Sequence, residues 1–122
     1  MKVMGIHTCS TYKKAVKWFN EHNIAIETVD LREHPPTKEE IAKYHRLSKM
    51  PLKKFFNTSG KVYRELDLKN KQKDMTDEEI YDVLAKNPML IKRPLVVDGD
   101  YVRTGFKESE YEDVWVKGTN QV

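Results

Sequence analysis

Disulfides within the chain are excluded at once, because its 122 residues contain a single cysteine, Cys9. Any disulfide that Cys9 forms must be with another molecule. Long hydrophobic runs are missing too: no stretch approaches the ~20 apolar residues that cross a bilayer, and the N-terminus lacks the basic start and apolar segment of a secretory signal. A cytoplasmic protein with no membrane attachment is therefore expected, and one free cysteine suits a reducing compartment. Neither sign of charge dominates. The 22 basic residues are opposed by 19 acidic ones, for a net charge of +3. The densest basic stretches, Lys13-Lys14, Lys53-Lys54 and Lys69 to Lys73, read as solvated faces, so no direct nucleic-acid contact is expected. His7, His22, His34 and His45 show no metal-ligand spacing with one another or with Cys9, which argues against a metal site.

With 39% hydrophobic and 34% charged residues, the chain has the composition of a single domain over residues 1–122 with a heavily solvated exterior. A chain of this size buries roughly two-thirds of its unfolded surface and needs no disulfide or metal to hold a core. No repeat, low-complexity tract or long linker divides it. Met1 to Ile6 has the length and apolarity of a strand. Tyr12, Ala15, Val16 and Phe19 then fall at i, i+3, i+4 and i+7, the spacing of one helix face, and the helix stops near His22-Asn23. Ile24 to Asp30 reads as a second strand, completing a parallel βαβ unit.

Helices are expected across the middle of the chain, approximately residues 37–88. Thr37 with Glu40, and Thr76 with Glu79, have the spacing of capping boxes. Between them Pro51 suits the first turn of a short helix that carries Leu52, Phe55 and Phe56 inward, and Asn57 to Gly60 ends it. Leu95 to Val97, a turn at Asp98-Gly99 and Tyr101 to Gly105 form a hairpin, followed by an amphipathic segment from Lys107 to about Val116. Trp18, Phe19, Phe55, Phe56 and Trp115 are the aromatic core candidates.

Cys9 lies between the first strand and the first helix, so its thiol stands at a helix N-terminus. The partial positive charge there favours thiolate, the nucleophilic form. A lone cysteine is otherwise often a small buried hydrophobe. His7, as the end of a strand, reads as structural.

Several segments carry a family resemblance. They are Cys9 with Ser10-Thr11, Phe55 to Gly60 followed by Tyr63 to Leu66, the run Met89 to Val97 with Arg93-Pro94 inside it, and Gly105-Phe106-Lys107. In this order and spacing they resemble the ArsC/Spx family, the glutaredoxin-coupled arsenate reductases and their relatives. The resemblance implies a thioredoxin-like α/β fold, βαβ…ββα, with a mixed four-stranded sheet and a helical insertion between the second and third strands. It implies that Pro94 is cis and faces the thiol, and that Arg93 helps hold an anion beside Cys9. Arginine suits that role because its planar fork of donors matches oxyanions and stays charged.

Two departures shape the expected chemistry. Of three arginines used by arsenate reductases of this type, only Arg93 is matched: Asn57 stands at one of the other positions, and Gly105-Phe106 at the third. Arg103, a few residues away on a strand, is expected to point to the other face. A multiply charged oxyanion is then poorly compensated. Tyr12 stands where related proteins have the second cysteine of Cys-x-x-Cys, so no internal disulfide switch exists.

The resulting reading is an ArsC-type thiol oxidoreductase with Cys9 as its nucleophile. Ser10, Thr11 and Tyr12 would contribute their backbone amides, and Arg93 and Pro94 would complete the binding site. No bound cofactor is expected. Glutathione or another thiol would act as co-substrate, with a glutaredoxin or thioredoxin system as partner and the protein itself a monomer. The alternative is an Spx-like regulator that binds the C-terminal domain of the RNA polymerase α subunit.

Overall fold

Val3 and Met4 are both buried, one on each side of the sheet, which is why the first strand reads as a continuous apolar run rather than an alternating one. This strand, β1, spans Lys2–Gly5 in the computed structural model, which describes residues 1–117. The remaining positions of the 1–122 span lie outside the described residues. From β1 the chain enters α1 (Ser10–Glu21), whose Ala15, Trp18 and Phe19 are buried. Asn23 then takes a left-handed φ of 57° and ends the helix, a conformation that Asn tolerates better than most residues.

The return strand β2 (Glu27–Asp30) pairs parallel with β1. It begins later than the apolar pattern suggests, because Ile24 and Ile26 pack against the α1 side of the core from outside the strand.

Both capping boxes form. The Glu40 amide donates to Thr37 Oγ1 at 3.1 Å and the Thr37 amide to Glu40 Oε1 at 2.9 Å, opening α2 (Lys38–Ser48). Thr76 and Glu79 do the same at 3.2 and 2.9 Å, opening α5 (Asp77–Lys86). A cap of this kind stabilises a helix start by about 1 kcal/mol. Between these helices lie a 3-10 turn at Leu52–Phe55 and two short helices, α3 (Lys61–Glu65) and α4 (Leu68–Lys71). The last two are too short to show periodicity, and the sequence does not announce them individually.

After a 3-10 turn at Pro88–Leu90, β3 (Leu95–Asp98) and β4 (Tyr101–Thr104) form an antiparallel hairpin. Its two loop residues are Gly99 and Asp100, one position later than expected. Gly99 takes the positive φ, 58°, at the first of them, which is the requirement of a type II′ turn. The chain continues into α6 (Glu108–Tyr111) and one π turn over Glu112–Val116.

The four strands form one mixed sheet in the order β2-β1-β3-β4. Directly opposed residues of antiparallel strands share a face, so Val3, Val96 and Arg103 lie on one side, and Met4, Leu95 and Thr104 on the other. The first side packs on α1 and Tyr111, with Trp115 partly buried beside them. The second packs on the helices that connect β2 to β3, through Ile41, Phe55, Phe56, Ile80 and Leu84 among others. No helix among the described residues is long and apolar enough to cross a membrane.

Candidate active site

Cys9 is the N-cap of α1, with extended backbone angles of −82° and 121°. Its own amide donates to the Ile6 carbonyl at 2.8 Å, and its carbonyl accepts from the Lys13 amide at 3.1 Å. The turn from strand to helix is therefore closed on both sides of the residue, and the side chain is left half-exposed. That placement departs from a buried hydrophobe. Burial still pushes the thiol pKa up, as the largest single influence. The Tyr12 amide, the Arg93 guanidinium and the Thr11 amide oppose it and together hold the pKa below its ordinary value. Sγ makes no regular side-chain cap bond, so these groups act as charges and dipoles aimed at a thiolate. Thr11 and Tyr12 are the second and third residues of α1, the two positions whose free amides face an N-cap side chain.

The expected site residues divide in two. Cys9, Ser10, Thr11 and Arg93 line one cleft of about 850 Å³. Ser10, the first residue of α1, lines it beside Cys9. Tyr12 contributes only its amide. Its ring packs on Gly5, where a Cβ would collide with it, and its side chain lines a separate hollow with His7, Thr28 and Asp30. Pro94 follows a cis Arg93-Pro94 bond but is buried and does not line the cleft. Its carbonyl accepts the Gly105 amide at 2.9 Å, so it positions the strand ends that do. His7 is exposed just beyond the end of β1, 3.8 Å from the Asp30 carboxylate.

Arg93 is held by its own chain, donating from Nη1 to the Met89 carbonyl at 3.2 Å. Its Nε is buried and has no hydrogen-bond partner. The opposite wall comes from the helical region. Lys92 donates its amide to the Phe55 carbonyl at 2.9 Å, and Asn57 donates its own to Leu90 at 2.7 Å, so residues 55–57 run antiparallel to 90–92 beside the sheet. This short pairing brings Asn57, Thr58, Ser59 and Gly60 to the cleft.

The cleft carries more cations than the single matched arginine. Lys54, Lys92, Arg103 and Lys107 line the cleft with Arg93, and Glu110 is the carboxylate among its lining residues. Arg103 shares a face with Val96, as its register requires, but the strand ends at the cleft and its side chain still reaches the rim. There its Nε lies 3.5 Å from Glu110 Oε1 and donates to the Tyr101 hydroxyl at 2.9 Å. Lys54, read as part of a solvated face, is brought in by the hydrogen bond from Thr104 Oγ1 to its carbonyl at 2.8 Å. These cations come from three separate segments of the chain, and their sequence spacing carries no signal of a shared site.

Residues 4–114 match the model of the ArsC family. The protein YusI of Bacillus subtilis (strain 168) is 49% identical over 107 residues, covering 88% of this chain and 91% of YusI. The global transcriptional regulator Spx of Streptococcus mutans (strain ATCC 700610 / UA159) is 25% identical over 103 residues, 84% of this chain and 74% of that protein. Among solved structures, an ArsC family related protein from Bacteroides fragilis superposes with a TM-score of 0.89 at 45% identity, over 93% of this chain and 95% of that one.

Proposed function

The chain belongs to the ArsC family, and from that premise we propose that it is a thiol oxidoreductase of arsenate reductase type in which Cys9 is the sole nucleophile. The observation that carries this reading is the half-exposed Cys9 thiol at the N-terminus of α1, with the Arg93 guanidinium beside it, at the wall of a cationic cleft. A thiolate so placed attacks an electrophilic sulfur, or the central atom of an oxyanion, that enters the cleft. With a disulfide, one S–S bond breaks as the bond to Sγ forms, and the departing sulfur leaves as a thiolate. Among the chain's own residues nothing can resolve the adduct, since Cys9 is the only cysteine. A second thiol, such as glutathione acting with a glutaredoxin, must attack it, releasing Cys9 as thiolate and carrying the disulfide away.

Incubation with oxidised glutathione followed by intact-mass spectrometry tests this. One glutathione adduct on Cys9, removed by reduced glutathione with glutaredoxin, is the expected result. Cys9 that stays unmodified, and alkylates no faster than an ordinary cysteine, would falsify the reading.

A second reading is favoured by the Spx relative, which matches across most of the chain. It makes the protein a transcriptional regulator that binds the RNA polymerase α subunit, without catalytic turnover at Cys9. A pull-down with purified α subunit separates the two. Capture that persists in Cys9→Ala supports the regulator, whereas failure to capture, in a protein that forms and releases thiol adducts, supports the enzyme.

A further inference from the structure

Lys92 occupies a position that its neighbours have built for it. Its backbone is fixed from one side by the Phe55 carbonyl. Its side chain crosses Gly105, where a Cβ would stand 3.0 Å from Lys92 Cε and 3.6 Å from Nζ. Gly105 itself takes a φ of +83°, held by its amide on Pro94 and by the Tyr111 hydroxyl, which donates to its carbonyl at 2.8 Å. A side chain at position 105 would crowd the lysine stem there. The glycine that stands near the expected third arginine thus leaves room for a cation delivered from the segment that precedes β3.

That cation is half-buried and, among the described residues, forms no ion pair. Glu110, the carboxylate of the cleft, is paired with Arg103. The cation nearest in effect to the Cys9 thiol is Arg93. An ammonium whose stem is fixed across Gly105, with no internal counter-ion, is placed to meet an anion supplied by a ligand. A cleft of about 850 Å³ falls in the range that encloses organic ligands, roughly 300–1,000 Å³, and greatly exceeds the size of a lone tetrahedral oxyanion.

We propose that Lys92, seated across Gly105, binds a carboxylate of an organic disulfide while Cys9 attacks its sulfur, and so selects acidic disulfides as substrates. This rests on the thiol reading above. The chemistry remains a balanced exchange: Cys9 thiolate and the acidic disulfide give the Cys9 mixed disulfide and one free carboxylate-bearing thiolate. The anchored carboxylate holds the disulfide in the cleft for attack, while Arg93 favours the thiolate form of Cys9.

The test compares rates of Cys9 modification by dithiodiglycolate, hydroxyethyl disulfide and cystamine, which are anionic, neutral and cationic. Each rate is normalised to that of the neutral thiol 3-mercapto-1-propanol with the same disulfide. The wild-type protein should prefer the anionic to the neutral disulfide by about five- to tenfold, the size of one partly screened charge contact. Lys92→Gln should remove most of that preference, Lys92→Arg should retain it, and Lys69→Gln, an equal change of net charge on an exposed helix, should leave it intact. A preference that survives Lys92→Gln, or falls equally in Lys69→Gln, overturns the assignment while leaving the thiol reading in place. Failure of Cys9 to react with any of the three overturns both. A further arm adds arsenate or sulfate. Protection of Cys9 by either at concentrations where acetate gives none would identify the Lys92 site as one for inorganic oxyanions and overturn the carboxylate assignment.

Discussion

Replacing Tyr111 with alanine is expected to destabilise the protein by about 3–5 kcal/mol, the usual cost of emptying a buried aromatic site. The ring is 1% exposed. It meets Trp18, Phe106 and Trp115 edge-on, with centroids 5.4, 4.8 and 5.0 Å away, and Phe19 at a tilt, 5.3 Å away. Pairs of this kind add to the burial itself. The side chain also ties the C-terminal segment to the candidate site, because its hydroxyl donates to the Gly105 carbonyl and burial keeps that hydroxyl protonated, with its pKa pushed well above normal. Tyr111→Phe removes only this hydrogen bond and should cost about 1 kcal/mol. Urea denaturation measures both. A loss under about 1 kcal/mol for the alanine variant, at unchanged denaturant slope, would show that Tyr111 does not organise this half of the core.

Replacing Arg93 with alanine should change the chemistry more than the fold. Next to Sγ, a fixed positive charge favours the ionised thiol, so its loss moves the Cys9 titration to higher pH. Alkylation by iodoacetamide, followed as a function of pH, should show the midpoint move upward. At pH 7 the rate should fall about three- to fivefold, a size discounted for the half-exposed position of the pair. Well above the midpoint the difference should vanish, because both proteins are then fully thiolate. Stability follows the same sign. A pKa lowered by folding stabilises the native state fully above the unfolded thiol value of ~8.5, and that contribution disappears as pH falls through the native value. The stability gap between wild type and Arg93→Ala should therefore be wider at pH 9.5 than at pH 6. An unshifted midpoint would mean that the amides of α1 alone hold the thiolate.

The legible parts of this protein are those set by local rules. Thr37 with Glu40 and Thr76 with Glu79 place the starts of α2 and α5 because a capping box is satisfied within four residues. Asn23 ends α1 for a similarly local reason. Helices of four or five residues, such as α3 and α4, leave no periodic trace, and their presence depends on contacts such as Gln72 Nε2 donating to the Tyr63 hydroxyl at 3.0 Å. The hairpin turn was displaced by one residue because strand register is settled by pairing between chains of side chains, here Asp98 opposite Tyr101, and not by the turn dipeptide alone.

The candidate site divides along the same line. By itself, the sequence determined the lone thiol, its place between strand and helix, the lack of a second cysteine to pair with it, and the Arg93-Pro94 pair, since each of these is a property of residue identity and near neighbours. Only the tertiary structure decided what surrounds that thiol. Lys54, Lys92, Arg103 and Lys107 converge on one cleft through hydrogen bonds that cross the chain: Thr104 to Lys54, Lys92 to Phe55 and Gly105 to Pro94. Electrostatic fields add in space and not along the chain. A sequence with nearly balanced charge can therefore fold into a strongly cationic site.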